Sequence, residues 1–328
     1  MLTPKDKKVM TSLFSMEERT LYKFMYIMLQ KHYKEEDIEL HSDYIFEKVT
    51  LHIGLLAHMD TVFAKKPTSK NIYYDSEKGV MWCPEGLGAD DRAGVFLIIK
   101  LLNSFSQKPT VILTLGEEKG GLGASAVIGQ HPENEYGLKF LIELDRQGKD
   151  DSVYYDCGNE EFEKYINRFG FTTDWGTFTD ISVIAPAWDI AAVNLSVGYF
   201  HEHTKTEILV IPYLFATLEK VKKICKNFND IKDKEFKHCT KKWYEDYYTA
   251  IYGGSYDIIC RSCKKQMPSD LSIPFKTRDG AYAFICPDCF ETEYVKFNWC
   301  GYCGEAFEPP EADKDAVFCK HCKSKIIE

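Results

Sequence analysis

Residues 86–94, Gly-Leu-Gly-Ala-Asp-Asp-Arg-Ala-Gly, set two adjacent carboxylates, Asp90 and Asp91, between glycine-rich turn residues and the apolar run 95–99. An acidic pair ahead of an apolar run is by itself an ordinary helix start, because Asp caps helices and suits their N-terminal dipole. Its company changes that reading. His58 and Asp60 precede it in Ala-His-Met-Asp-Thr-Val, and Glu117-Glu118, Asp145 and His203 follow it. Carboxylate oxygens and imidazoles are the donors that zinc and its neighbours take. Asp90 can bridge two cations through its two oxygens. Asp60, two residues after His58, can orient that ring by a hydrogen bond. Of the pair Glu117-Glu118, one carboxylate can bind metal while the other takes a proton from water. Together these residue types point to metal-assisted hydrolysis.

Such residues need a frame. The stretch 51–57 reads as a strand ending at His58, and 110–115 as a short buried strand ending at Glu117-Glu118. Residues 139–144 read as another, ending at Asp145, and 191–197 as a fourth, ending near His201 and His203. Helical stretches fall at 92–105, 119–129 and 160–168, and 71–82 reads as a hairpin arm leading into the glycine turn. A further helix is expected over 15–32, with Ser15 and Glu18 at capping-box spacing and Leu21, Phe24, Met25, Met28 and Leu29 on one face. Short apolar strands alternating with helices predict an α/β three-layer sandwich with a mostly parallel mixed sheet. Ligands in such sheets bind beyond the carboxyl ends of the strands, which is where these residues fall.

The 328 residues are 45% hydrophobic and 28% charged, an ordinary soluble composition. A formal charge of -9 argues against a general nucleic-acid or membrane-surface binder. The opening Met-Leu-Thr-Pro-Lys-Asp-Lys-Lys lacks a secretory signal's apolar stretch, and no run approaches a membrane span, so a cytoplasmic protein is expected. Eight of the twelve cysteines form four Cys-x-x-Cys pairs: Cys260/Cys263, Cys286/Cys289, Cys300/Cys303 and Cys319/Cys322. In a reducing compartment that spacing means metal rather than disulfides. Eight thiolates suffice for two structural zinc sites, paired sequentially or cross-braced, and the spacing suits a zinc ribbon. Residues 255–328 hold ten Lys/Arg against twelve Asp/Glu, the wrong balance for a phosphate-binding surface. A protein-interaction or stabilising module is expected there instead. The expected organisation is a catalytic domain over 1–228, a helical connector over 229–254 and a cysteine-rich zinc-ribbon domain over 255–328.

The motifs His58-x-Asp60, Gly-Ala-Asp90-Asp-Arg-Ala-Gly, Glu117-Glu118-x-Gly-Gly-Leu-Gly-Ala, Leu-Asp145 and His203-Thr-x-x-Glu207 resemble those of the co-catalytic zinc exopeptidases. The resemblance spans roughly 50–210. It implies one zinc on His58, Asp90 and Asp145 and a second on Asp90, Glu118 and His203, with Glu117 as general base and Asp60 orienting His58. Asp90 rather than Asp91 takes the bridging place because it fits the clan's Asp-x-Lys/Arg-x-Gly pattern. The resemblance also implies a cis peptide bond between Asp90 and Asp91. His201 competes with His203 as ligand, and the His-Thr-x-x-Glu pattern favours His203. The 57 residues between Asp145 and His203 are too few for the dimerisation domain of deacylase-type members. The chain is therefore most similar to the single-domain zinc aminopeptidases. The function so implied is an aminopeptidase using a water held between two zincs, with two more zincs in the tail. The alternatives are a deacylase or carboxypeptidase-type hydrolase of N-acyl amino acids, and a non-catalytic protein-binding module on the same fold. Arg146, Asp180 and His201, on loops beside the strand ends, are candidates for binding a peptide or N-acyl amino acid substrate. A protein partner is expected only through the tail.

Overall fold

A computed structural model describes residues 2–48, 51–155, 157, 159–231 and 234–237, and beyond them 257–259, 263–268, 273–276, 282–285, 298–299 and 306–307. The chain divides into two compact units, Met1–Lys242 and Trp243–Glu328.

The first unit opens with α1 (Pro4–Ser15) and α2 (Glu18–Leu29), then β1 (Ile38–Leu40), β2 (Tyr44–Glu47) and β3 (Leu51–His58). The hairpin β4 (Tyr73–Asp75) and β5 (Val80–Trp82) leads to α3 (Ala89–Leu102) and β6 (Pro109–Thr114). After these come α4 (Leu122–Gln130), β7 (Phe140–Arg146), β8 (Asp151–Val153), α5 (Glu160–Asn167), β9 (Thr172–Asp174) and α6 (Ile181–Trp188). β10 (Ala191–Ser196), β11 (Tyr199–Phe200), β12 (Ile208–Val210) and α7 (Ile211–Lys226) complete it.

Eight strands form one mixed sheet in the order β1-β2-β6-β3-β7-β10-β8-β9, whose centre, β6-β3-β7-β10, is parallel. The period-2 alternation of side chains sorts each central strand into two cores. Ile53, Leu55, Val111, Leu113, Ile142 and Val193 face a core shared with α1, α2, α3, α5 and α7. Leu56, Ile112, Leu141 and Ala192 face a second core with α4 and α6. The result is three layers, helices on both faces of a mixed sheet. A smaller antiparallel sheet, β11-β12-β5-β4, stands beside it. Among the described residues no helix is long and apolar enough to cross a membrane.

The N-terminus differs from the expectation of one capped helix over 15–32. Thr3 caps α1 by accepting the Asp6 amide at 3.1 Å, with Pro4 at the first helical position. Ser15 ends that helix and donates to the Thr11 carbonyl at 2.8 Å, so it forms no capping box with Glu18. α2 then starts behind Glu17, without a side-chain cap. Of the expected connector, residues 238–254 lie outside the described residues. Its described part stays with the first unit: Phe236 is buried in the main core, and its carbonyl accepts the Ala191 amide at 2.7 Å.

In the second unit Asp257–Ile259 pairs antiparallel with Gln266–Pro268, as do Ile273–Lys276 with Tyr282–Ile285 and Asn298–Trp299 with Ala306–Phe307. Cys263 is exposed between the first two strands. Cys260, Cys286, Cys289, Cys300, Cys303, Cys319 and Cys322 lie outside the described residues, and the zinc-ribbon expectation with them.

Candidate metal centre

The parallel strands deliver their last residues to one edge. β3 ends at His58, in register with Thr114 at the end of β6. Glu117 and Glu118 form a short 3-10 turn just past β6, and Asp145 is the penultimate residue of β7. His203 lies on the loop between β11 and β12. Asp90 enters from the start of α3, which approaches β7 so closely that a Cβ on Gly94 would fall 2.0 Å from the Leu144 carbonyl oxygen. Only glycine allows this approach.

Asp90 is the middle of the cluster. Its Oδ1 lies 3.1 Å from His58 Nε2, and its Oδ2 lies 3.1 Å from His203 Nε2. His58 Nε2 is also 3.5 Å from Asp145 Oδ1, while His203 Nε2 is 3.0 Å from Glu118 Oε2. The donors thus form two triads that share Asp90. The inner one is buried, with the His58 side chain 1% exposed; the outer one opens to solvent, with His203 45% exposed. Donor atoms of His58, Asp90 and Glu118 lie within 4.8 Å of one another.

A second set of residues holds the first. Asp60 Oδ1 sits 3.3 Å from His58 Nδ1, and the Asp60 carboxylate accepts the Glu117 and Glu118 amides at 3.3 Å each. The Asp90–Asp91 peptide is cis. Asp91 turns away from the triads and accepts the His58 amide at 3.2 Å and the Gly94 amide at 3.0 Å. Asp145 receives hydrogen bonds from the Tyr199 and Thr179 hydroxyls, and its amide donates to Asn194 Oδ1. Glu207 has no exposed surface; it accepts the amides of Leu87, Gly88 and Asp90. Arg92 Nη1 donates to the carbonyls of Leu13, Phe14 and Met16 at the end of α1.

The charges are poised for a cation. Burial raises Asp145 to about 7, with the Asp90 charge adding to it and His58 opposing. Burial likewise pushes Glu117 up to about 9. Burial alone would lower His58, but Asp145, Asp60 and Asp90 outweigh it and hold the ring well above its ordinary value. Hydrogen bonds to Asp90 and Glu118 lift His203 to about 11. Buried carboxylates this crowded repel one another, and protons on the imidazoles occupy lone pairs that a divalent cation would share. The donor set, oxygens and imidazole nitrogens around a common carboxylate, fits two zinc ions.

The remaining candidates fall differently. Arg146 is half-buried and donates to Asp174 Oδ2 at 3.1 Å and the Trp175 carbonyl at 3.2 Å. Asp180 has no exposed surface and accepts the Thr114 hydroxyl, which sets it behind the strand ends rather than at an open face. His201 is exposed, and its carbonyl accepts the Thr204 hydroxyl at 2.7 Å; it is His203 whose ring meets Asp90 and Glu118. The supporting roles of Asp91, Asn194 and Tyr199 are not legible in the sequence. Their types are common in any strand or helix start, and only the fold brings them to the ligands.

No protein-family model and no curated protein matches the sequence. Solved structures do match. An aminopeptidase, PepT of Bacillus cereus, is 16% identical with a TM-score of 0.53, over 68% of this chain and 97% of that one. A tripeptidase of Staphylococcus aureus is 13% identical with a TM-score of 0.53, over 69% and 98%. An aminopeptidase of the archaeon Desulfurococcus kamchatkensis is 13% identical with a TM-score of 0.53, over 67% and 94%. At these identities the likeness establishes the fold: this chain shares its architecture with solved aminopeptidases and a tripeptidase.

Proposed function

We propose that the first unit is a dizinc hydrolase of peptide bonds, of the aminopeptidase type. One zinc would be held by His58, Asp90 and Asp145, the other by Asp90, Glu118 and His203. The observation that carries this reading is Asp90, which turns one oxygen to each histidine at 3.1 Å. The peptidase names of the solved structures with this fold support it. When bound, the cations supply Lewis acidity to the scissile carbonyl and to the attacking water.

The chain's own residues do the rest. Asp60 Oδ1 faces His58 Nδ1 at 3.3 Å, which favours a proton on Nδ1 and leaves the Nε2 lone pair facing the inner triad. Asp60 also fixes the turn through the Glu117 and Glu118 amides, so one carboxylate joins the outer triad and the other stays outside both. Glu117 is the free one. Burial, with the Asp145, Asp180 and Asp90 charges adding to it and His58 opposing, pushes its pKa up to about 9, and cations held in the two triads would lower it by offsetting those carboxylate charges. It takes a proton from the water oxygen and delivers it to the leaving nitrogen.

In the second unit, we infer that the four cysteine pairs hold two structural zincs. Two of the pairs, Cys260/Cys263 and Cys300/Cys303, fall in sequence between strands that pair antiparallel. We also propose the three-part organisation 1–228, 229–254 and 255–328, with the start of the connector, through Phe236, packed against the first unit.

The test separates the two glutamates. Glu117→Gln should keep both catalytic zincs and lose turnover by on the order of 10²-fold or more, whereas Glu118→Gln should lose one zinc. Metal loss from Glu117→Gln with retention by Glu118→Gln would exchange the roles. A zinc-loaded protein that cleaves N-acyl amino acids but no peptide or aminoacyl reporter would make the chain a deacylase.

A further inference from the structure

Seven large apolar side chains stand exposed among the described residues, and four of them adjoin the metal centre: Val62 and Leu122 beside the ligand-bearing turns, Trp175 and Phe178 on the segment between β9 and α6, whose Thr179 reaches Asp145. Val62, 43% exposed, is two residues beyond Asp60, and its amide donates to Glu118 Oε1 at 3.2 Å. Leu122, 54% exposed, opens α4 directly after the Glu117-Glu118 turn, and its amide donates to the Gly116 carbonyl at 3.0 Å. Phe178, 43% exposed, precedes Thr179, whose hydroxyl reaches Asp145. The Phe178 ring lies over Gly121, the neighbour of Leu122, where a Cβ would come within 2.9 Å of it. Trp175 is 75% exposed, and its carbonyl accepts from Arg146, the residue after Asp145. A single exposed apolar residue needs no explanation; four gathered around one polar centre from three strand ends do.

We propose that Val62, Leu122, Trp175 and Phe178 select the substrate, a peptide whose residues flanking the scissile bond carry apolar side chains. The proposal rests on the peptidase reading above. Apolar side chains seated there would cover four surfaces that water now touches and shield the adjoining carboxylates from solvent.

The experiment uses the full zinc-loaded chain and reduced-bond (CH2–NH) analogues of Leu-Leu and Asn-Asn, which are close in size, equally charged and cannot be hydrolysed. Calorimetry should show the leucine analogue binding at least about tenfold more tightly. Phe178→Ser combined with Leu122→Ser, both exposed positions, should reduce that ratio to about twofold or less with zinc content unchanged. Equal binding of the two analogues, no binding of either, or a ratio that the double variant leaves in place would overturn the proposal. Hydrolysis of Leu-Leu and Asn-Asn by the unaltered protein is measured in parallel. A binding preference without any turnover would remove the peptidase reading and leave the apolar selection standing. Turnover of both peptides with equal kcat/KM would remove the selection and leave the peptidase.

Discussion

Replacing Glu207 by Gln tests how the bridging carboxylate is held. Glu207 is fully buried; its Oε2 accepts the Leu87 amide at 3.1 Å and the Gly88 amide at 2.5 Å, and its Oε1 accepts the Asp90 amide at 3.1 Å. Glutamine keeps the shape but has one oxygen and one NH2 group. In either orientation the NH2 faces a backbone N–H, so at least one buried amide loses its acceptor. Burial, with the Asp90 charge adding to it, raises Glu207 to about 7. Above that pH its bonds are to a charged group, which contribute about 1.5–3 kcal/mol, and a stranded buried donor costs about 1–3 kcal/mol, so a loss of about 3 kcal/mol is expected at about pH 8. For a unit of this size that lowers Tm by about 6–12 °C. The amides at risk belong to Asp90 and the turn before it. Zinc affinity should therefore fall about 10–100-fold, as when a residue behind a metal ligand is lost. Circular dichroism melts of metal-free protein measure the first effect, and competition with a chromophoric chelator measures the second. A Gln variant with unchanged Tm and unchanged zinc affinity would refute the claim that Glu207 fixes Asp90.

Two other outcomes are expected. Glu47 in β2 is fully buried, and burial, with Asp37 adding to it, pushes its carboxyl up to about 9 from an ordinary 4.5. Below pH 4.5 folded and unfolded chains both hold the proton; above it only the folded chain does, up to about pH 9, so stability falls as pH rises through that window. Glu47→Gln should remove this slope, and its Tm advantage over the parent should widen from about pH 5 to about pH 8; a constant gap would show that Glu47 does not titrate between the two states. For the tail, total zinc should approach about four per chain, two in each unit. A chain ending near Tyr252 should keep about two zincs and some hydrolysis. A soluble, folded truncation that binds two zincs and is inactive would mean that the tail helps to form the active site.

The frame of the site was legible because chemistry and periodicity coincide in it. Three apolar strands ending at or just before His58, Glu117-Glu118 and Asp145, and a fourth over 191–196 ahead of the loop that carries His203, announce both a parallel sheet and its ligand edge. The cis bond at Asp90 came from the resemblance rather than from any local signal. What stayed hidden depends on distance along the chain. β1 and β2 extend the sheet past β6 by antiparallel pairing, yet they are short, and only register with β6 makes them part of it. Glu207 sits 117 residues beyond the Asp90 amide it accepts. Its place in the His-Thr-x-x-Glu motif was visible, but not its target. α1 was hidden because its lysines mask a narrow buried stripe, Met10, Leu13 and Phe14.

That helix has a further consequence through Arg92. The same short stretch that carries Asp90 on one side grips the α1 carboxyl end on the other, since Arg92 Nη1 donates to the carbonyls of Leu13, Phe14 and Met16. Residues 2–16 supply no ligand to the triads, but through Arg92 they are tied to the stretch that carries Asp90. If the proposed cations bind, linkage is reciprocal: free energy they contribute by settling residues 90–92 would pass in part to the seating of the first helix, and a well-seated first helix would return it as tighter metal binding. The N-terminal helix would in this sense be a remote clamp on the proposed metals.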